Sequence, residues 1–141
     1  MHVNDHSTPR ARQFAVQALY QAQLNKEESA AIIAQNIRDN EYFAKADGEL
    51  FTQIFFGAYN NQRDYMKRIR PLLDRHEDEL SPVERAVLLM ACHELSAMPE
   101  TPHPVIINEA IEITKTFGGT DGYKFINGIL DKLSAELRTT S

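Results

Sequence analysis

At 141 residues with a formal net charge of −5, the chain is sized for one domain, or for two small bundles sharing a core, and can bury roughly two-thirds of its unfolded surface. The acidic balance argues against binding nucleic acid through bulk charge, and the single cysteine, Cys92, excludes an internal disulfide and fits a reducing, cytoplasmic setting. No stretch supplies the roughly 20 apolar residues of a membrane span, and the polar opening dozen residues do not make a signal peptide.

In chain order, residues 1–8 lack apolar periodicity and read as a mobile arm. Thr8-Pro9 then offers a helix start, and Phe14, Ala15, Ala18, Leu19 and Ala22 recur at spacings of three and four, so roughly Pro9 to Asn25 is an amphipathic helix. Arg10 and Arg12 lie in its first turn, where the helix dipole prefers acids. An anionic ligand held jointly by free amides and arginine would explain them; two solvated arginines would need no explanation.

Ser29 to Asn40 carries Ala30, Ile33, Ala34 and Ile37 on one face of a second helix. Asp47 to about Leu73 is a longer one, in which Gly57 permits close helix packing and Asn60-Asn61 marks a bend or a break. His76-Glu77-Asp78-Glu79 is a polar link between two halves, approximately 9–75 and 81–138, of a single domain spanning 1–141. Charge is uneven: Arg63 to Arg75 holds five basic and two acidic residues. A basic patch in an acidic total fits local contact with RNA, and it also fits an ordinary solvated surface, which charge alone favours.

Ser81 to Ala97 is the centre of the chain. Ser81 and Glu84 form a capping box around Pro82 at the first helical position. Ala86 through Cys92 is then unbroken apolar sequence. A helix that is apolar all round must be buried, so this one is the post around which the others stand. Met98 to Pro104 is a proline-rich loop that cannot be helical throughout. Val105 to Phe117 places Ile106, Ala110, Ile113 and Phe117 on one stripe, Gly118-Gly119 ends that helix, and Thr120 or Asp121 caps the last one. Its inner side carries Ile126, Ile129, Leu130, Leu133 and Leu137. No stretch alternates with period two for long, so the fold class is all-α: two small helical bundles sharing a core around a central buried helix.

The chemistry-bearing residues are sparse. No His-x-x-x-His, Cys-x-x-Cys or Glu-x-x-His spacing occurs, so a metal site has no local support. Cys92 and His93 are consecutive on a helix and point apart, so an active thiol is a weak alternative to a core cysteine. Asn108 and Asn127 lie inside apolar helices and are expected to be buried and bonded to backbone. Around the glycine-rich elbow, Phe117, Tyr123, Lys124 and Phe125 combine rings with a cation, with Phe125 expected to be only partly buried, which is what unpaired RNA needs for stacking and phosphate contact. Asp121 could accept hydrogen bonds from a base edge. Core aromatics plus a capping aspartate remain the simpler account of the same residues.

Three groups of residues carry a family resemblance. Arg10-Ala11-Arg12 with Ala15-Val16-Gln17-Ala18-Leu19-Tyr20 resembles the opening helix of the transcription antitermination factor NusB family, as does Glu84-Arg85-Ala86-Val87-Leu88 with Glu94-Leu95. The run from Pro104 to Ile113, with Phe117-Gly118, Asp121 and Lys124-Phe125-Ile126-Asn127-Gly128-Ile129-Leu130-Asp131, is similar to its C-terminal signature. The resemblance covers nearly the whole chain, although 25–79 match only in pattern.

The resemblance implies two small helical bundles, no enzyme activity and no cofactor. It implies a partner, NusE, which is also a small-subunit ribosomal protein. The pair would bind boxA-like single-stranded RNA in nascent ribosomal RNA and act on RNA polymerase within an antitermination complex. RNA contacts would be Arg10, Arg12, Gln17, Tyr20, Phe117, Asp121 and Lys124, with Tyr123 and Phe125 adjacent; Glu84 and Arg85, at an expected exposed start of the central helix, would face the protein partner. The family's opening run of arginines is here reduced to Arg10 and Arg12, which implies weak RNA affinity without the partner. Two alternatives stand beside this: a detached targeting module resembling the RNA-binding domain of some ribosomal RNA methyltransferases, and a small helical enzyme using Cys92 or a histidine.

Overall fold

The computed structural model of the protein describes residues 6–117 and 121–138. Among these residues there are seven α-helices and no strand: α1 (Ser7–Leu24), α2 (Ala30–Arg38), α3 (Gly48–Asn60), α4 (Gln62–Ile69), α5 (Pro82–Ala97), α6 (His103–Phe117) and α7 (Gly122–Leu137), with short 3-10 turns over Glu41–Lys45, Arg70–Leu72 and Glu77–Glu79. The all-helical class read from periodicity holds. The described part of the arm differs from expectation, because Ser7 and Thr8 already belong to α1 and the Asp47 amide donates to Ser7 O at 3.0 Å. The Gly118-Gly119 elbow and Thr120 lie outside the described residues.

Helix starts follow their caps. The Ser29 and Asp47 side chains accept from the amides of Ile32 and Leu50. At α5 both halves of the capping box are present: Glu84 N–H donates to Ser81 Oγ, and Ser81 N–H donates to Glu84 Oε1. Each such cap satisfies an amide that the helix itself leaves without a partner. The long third helix breaks at Asn61, which closes α3 and opens α4 and donates from Nδ2 to Gly57 O at 2.8 Å. Pro104 falls inside α6: the loop ends one residue before His103, since a proline in the first turn removes no helical hydrogen bond.

Every residue from Ala86 to Leu95 is buried. α5 is enclosed by α1, α3, α4, α6 and α7, and both halves of the chain pack on it. Phe14, Phe43, Phe51 and Phe55 form a chain of rings with centroids 5.2–5.9 Å apart that joins α1, the 41–45 turn and α3. On the other flank the His93 ring sits directly on Gly57, where an added Cβ would lie 2.1 Å from Cε1. The close approach expected of Gly57 is therefore an imidazole against backbone.

Candidate nucleic-acid interface

On α1, Ala11, Ala15, Ala18 and Leu19 turn inward. That leaves Arg10, Gln13, Gln17 and Tyr20 on one outer stripe at spacings of three and four, with Arg10 and Gln17 about 10 Å apart along the axis. Gln17 and Tyr20 meet Val83 from the first turn of α5 and Phe117 from the end of α6, and together with Val16 and Gln21 they line a groove of about 400 Å³. Tyr20 is 36% exposed and Phe117 41%. Phe117 was expected on the inner stripe of α6. It instead stands at the rim, because α6 ends there, and it lines the groove with Val83.

The start of α7 adds charge and rings. Gly122 lies so close to α5 and α6 that a Cβ there would be 3.3 Å from Glu84 Oε2 and 3.5 Å from Thr114 Cγ2. Asp121 stands at the N-cap position, yet its side chain makes no capping bond; it is exposed and pairs with Lys124 Nζ at 3.7 Å. So exposed a pair is held weakly and can exchange partners with a ligand. Lys115 Nζ and Lys124 Nζ lie 4.8 and 6.0 Å from the centre of the half-buried Tyr123 ring. Phe125 is half-buried as expected, but its ring is covered by the Arg75 guanidinium.

Arg12 does not belong to this surface. It is buried and grips Glu94 of α5 through Nε at 3.0–3.1 Å and Nη2 at 2.9 Å, with Nη1 3.9 Å from Glu109 of α6. The expectation placed Arg12 among the RNA contacts; the structure commits its guanidinium to these carboxylates inside the chain, away from the outer stripe of α1. Burial raises the Glu94 carboxyl above its ordinary value, and the Arg12 hydrogen bonds oppose that rise. Asn108 and Asn127 are corrected in the opposite sense. Both are exposed, because they fall off the stripes formed by Ile106, Ala110 and Ile113 and by Ile126, Ile129 and Leu130.

Glu84 and Arg85 are half-buried rather than exposed, since each has a partner inside the chain. Glu84 completes the cap of α5, and Arg85 Nη1 donates to Glu77 Oε2 at 2.9 Å. Glu77 also accepts from Arg70, whose hydrogen bond is the main cause of its lowered pKa. Arg85 lines a groove with Gln23, Lys26, Tyr59, Gln62 and Glu77, on the flank of α5 next to Pro82.

The residues suggested for nucleophilic chemistry are inside the core. Cys92 has no exposed surface, and burial pushes its thiol up to about 11. A thiolate, the reactive form, is therefore scarce at neutral pH. Burial lowers the His93 pKa, and Nδ1 shares a hydrogen bond of 2.8 Å with the Tyr65 hydroxyl. Among the described residues no group of three histidine, cysteine or carboxylate side chains is placed to hold a metal ion, and no helix is long and apolar enough to cross a membrane.

Groove, rings and exchangeable charge pairs define an all-helical binding protein organised around one buried helix. The NusB family model matches residues 9–135, and the chain belongs to that family of transcription antitermination factors. It is 67% identical over 129 residues to the transcription antitermination protein NusB of Neisseria gonorrhoeae, covering 92% of this chain and 91% of that one. The NusB of Chromobacterium violaceum is 59% identical over 92% of this chain and 87% of its own length. Among solved structures, T. maritima NusB superposes with a TM-score of 0.81 at 31% identity, covering 91% of this chain and 90% of that one. A crystal structure of the antitermination factors NusB and NusE in complex with dsRNA matches in fold, with a TM-score of 0.80 at 21% identity over 91% of this chain and 96% of that chain.

Proposed function

We propose that this chain is a non-catalytic, cytoplasmic RNA-binding antitermination factor that engages boxA-like RNA together with a NusE-type ribosomal protein. The observation that carries this reading is the groove in which Gln17 and Tyr20 of α1 and Phe117 of α6, far apart in sequence, stand together against Val83. Two partly exposed rings over an apolar floor suit stacking by unpaired bases, and amides at the rim suit their edges. Arg10 on the α1 stripe and Lys124 at the start of α7 supply phosphate contacts, while Tyr123, Phe125 and Asp121 extend the surface along α7. The protein partner takes the flank of α5 at Glu84 and Arg85, where paired charges edge a groove. Contact with RNA polymerase then comes through the assembled complex.

The test is titration of labelled boxA-like, scrambled single-stranded and duplex RNA, each with and without a NusE-type protein. The boxA-like single strand should bind tightest, more so with the partner, and Tyr20→Ala should weaken it. Equal binding of boxA-like and scrambled strands under both conditions would overturn the reading.

A further inference from the structure

The basic segment from Arg63 to Arg75 ends on a residue whose geometry is not that of a solvated charge. Arg75 lies in the link between the 70–72 and 77–79 turns, outside any helix. Its guanidinium is stacked over Phe125 of α7 with Cζ 3.7 Å from the ring centre. Its Nε donates to Asp74 Oδ1 at 3.0 Å, and 34% of the side chain still meets solvent. Neither terminal amino group donates to a described residue. One hydrogen bond and one ring thus hold a planar cation in place, with its remaining donors uncommitted.

We propose that the Phe125–Arg75 stack is a preformed platform for one unpaired base, which makes Arg75 a further RNA-binding residue. The inference rests on the RNA reading above and extends its path. Gly122 adjoins the capping residue Glu84, next to the Val83 that lines the groove. Phe125 follows Gly122 by three residues of α7, about 4.5 Å along the axis. A strand stacked between Tyr20 and Phe117 therefore continues over the start of α7 onto Arg75. Guanidinium planes and aromatic rings are both surfaces on which splayed bases stack. The fork can also donate to a base carbonyl or a phosphate, which a lysine ammonium cannot do while stacked.

The experiment compares the full chain with Arg75→Ala, Arg75→Lys and Tyr20→Ala, all with a NusE-type partner, by fluorescence anisotropy. The probe is boxA-like single-stranded RNA and a set in which each base in turn is abasic, with melting temperature as the control for folding. Arg75→Ala should melt close to the parent and bind roughly tenfold more weakly, the worth of one stacked base. Arg75→Lys should restore the salt dependence without restoring the affinity. At one abasic position the parent should lose affinity and Arg75→Ala should lose no more. Parent-like affinity and an unchanged abasic profile for Arg75→Ala, with Tyr20→Ala impaired, would overturn the assignment and leave the groove intact. Parent-like binding by both variants, or no binding by the parent, would overturn the assignment and the RNA reading together.

Discussion

Arg12 of α1 and Glu94 of α5 meet across 82 residues of sequence in a buried ion pair, with Nη2 2.9 Å from Oε1. Removing one member leaves the other charged and enclosed. Arg12→Ala should therefore cost about 3–5 kcal/mol, whereas Arg12→Met combined with Glu94→Leu should recover most of that loss. Urea denaturation of the three proteins checks it. A cost for Arg12→Ala within ~0.5 kcal/mol, the usual range for surface changes, would mean the pair is not held as described.

Arg10 and Asp121 should fail differently in RNA titrations. Arg10→Ala is expected to weaken all sequences alike and to flatten the salt dependence by about 0.7 in log–log slope, the share of one phosphate contact to a single strand. Asp121→Ala is expected to narrow the gap between boxA-like and scrambled RNA, because a carboxylate reads base donors and repels phosphate. Its side chain caps nothing in α7, so melting temperature should not move.

Two helical glycines make a matched pair for stability. Gly57→Ala drives a Cβ into the His93 ring and should cost about 1–3 kcal/mol. Gly128 has no heavy atom within 4 Å of such a Cβ, so Gly128→Ala should gain up to about 1 kcal/mol of helix propensity. Opposite signs in denaturant midpoint are the expected result.

His93 gives the protein an acid-side weakness. With its folded pKa held below the ordinary 6.5 by burial, the unfolded chain takes up more protons there as pH drops, so acid favours unfolding. The stability tied to this residue is complete above 6.5 and is lost as pH falls through the lower folded value. Glu77, also lowered, adds a loss of the same sign only below about 4.5. Melting temperature should fall as pH drops below about 6.5, and His93→Gln should show a shallower fall.

Local chemistry was legible in the sequence. The capping box at Ser81, the buried course of α5 and the packing role of Gly57 each follow from residues within a few positions of one another. The groove was half legible: Gln17, Tyr20 and Phe117 came from resemblance to a family, while Val16, Gln21 and Val83 became visible only once α1, α5 and α6 were packed. The missed features are long-range pairs. Arg12 borders the inward stripe of α1, and nothing near it in sequence announces Glu94. Phe125 was rightly expected to be partly buried, but its Arg75 cover comes from a link fifty residues earlier. Asn108 and Asn127 misled because a single amide in an apolar run carries no periodicity of its own, and its direction depends on which neighbours the partner helix selects.

Arg138 closes the far end of the molecule. Its guanidinium donates to the carbonyls of Glu94, Leu95, Met98 and Thr101 at the end of α5 and in the loop after it, where a helix runs out of amides to offer its last carbonyls; those of Glu94 and Met98 also accept from the Met98 and Thr101 amides. The middle rod of the protein is thus buckled at its tail by a single side chain from just beyond α7. One guanidinium thereby ties three segments together, so its loss would loosen α5, the loop after it and the end of α7 from one another at once.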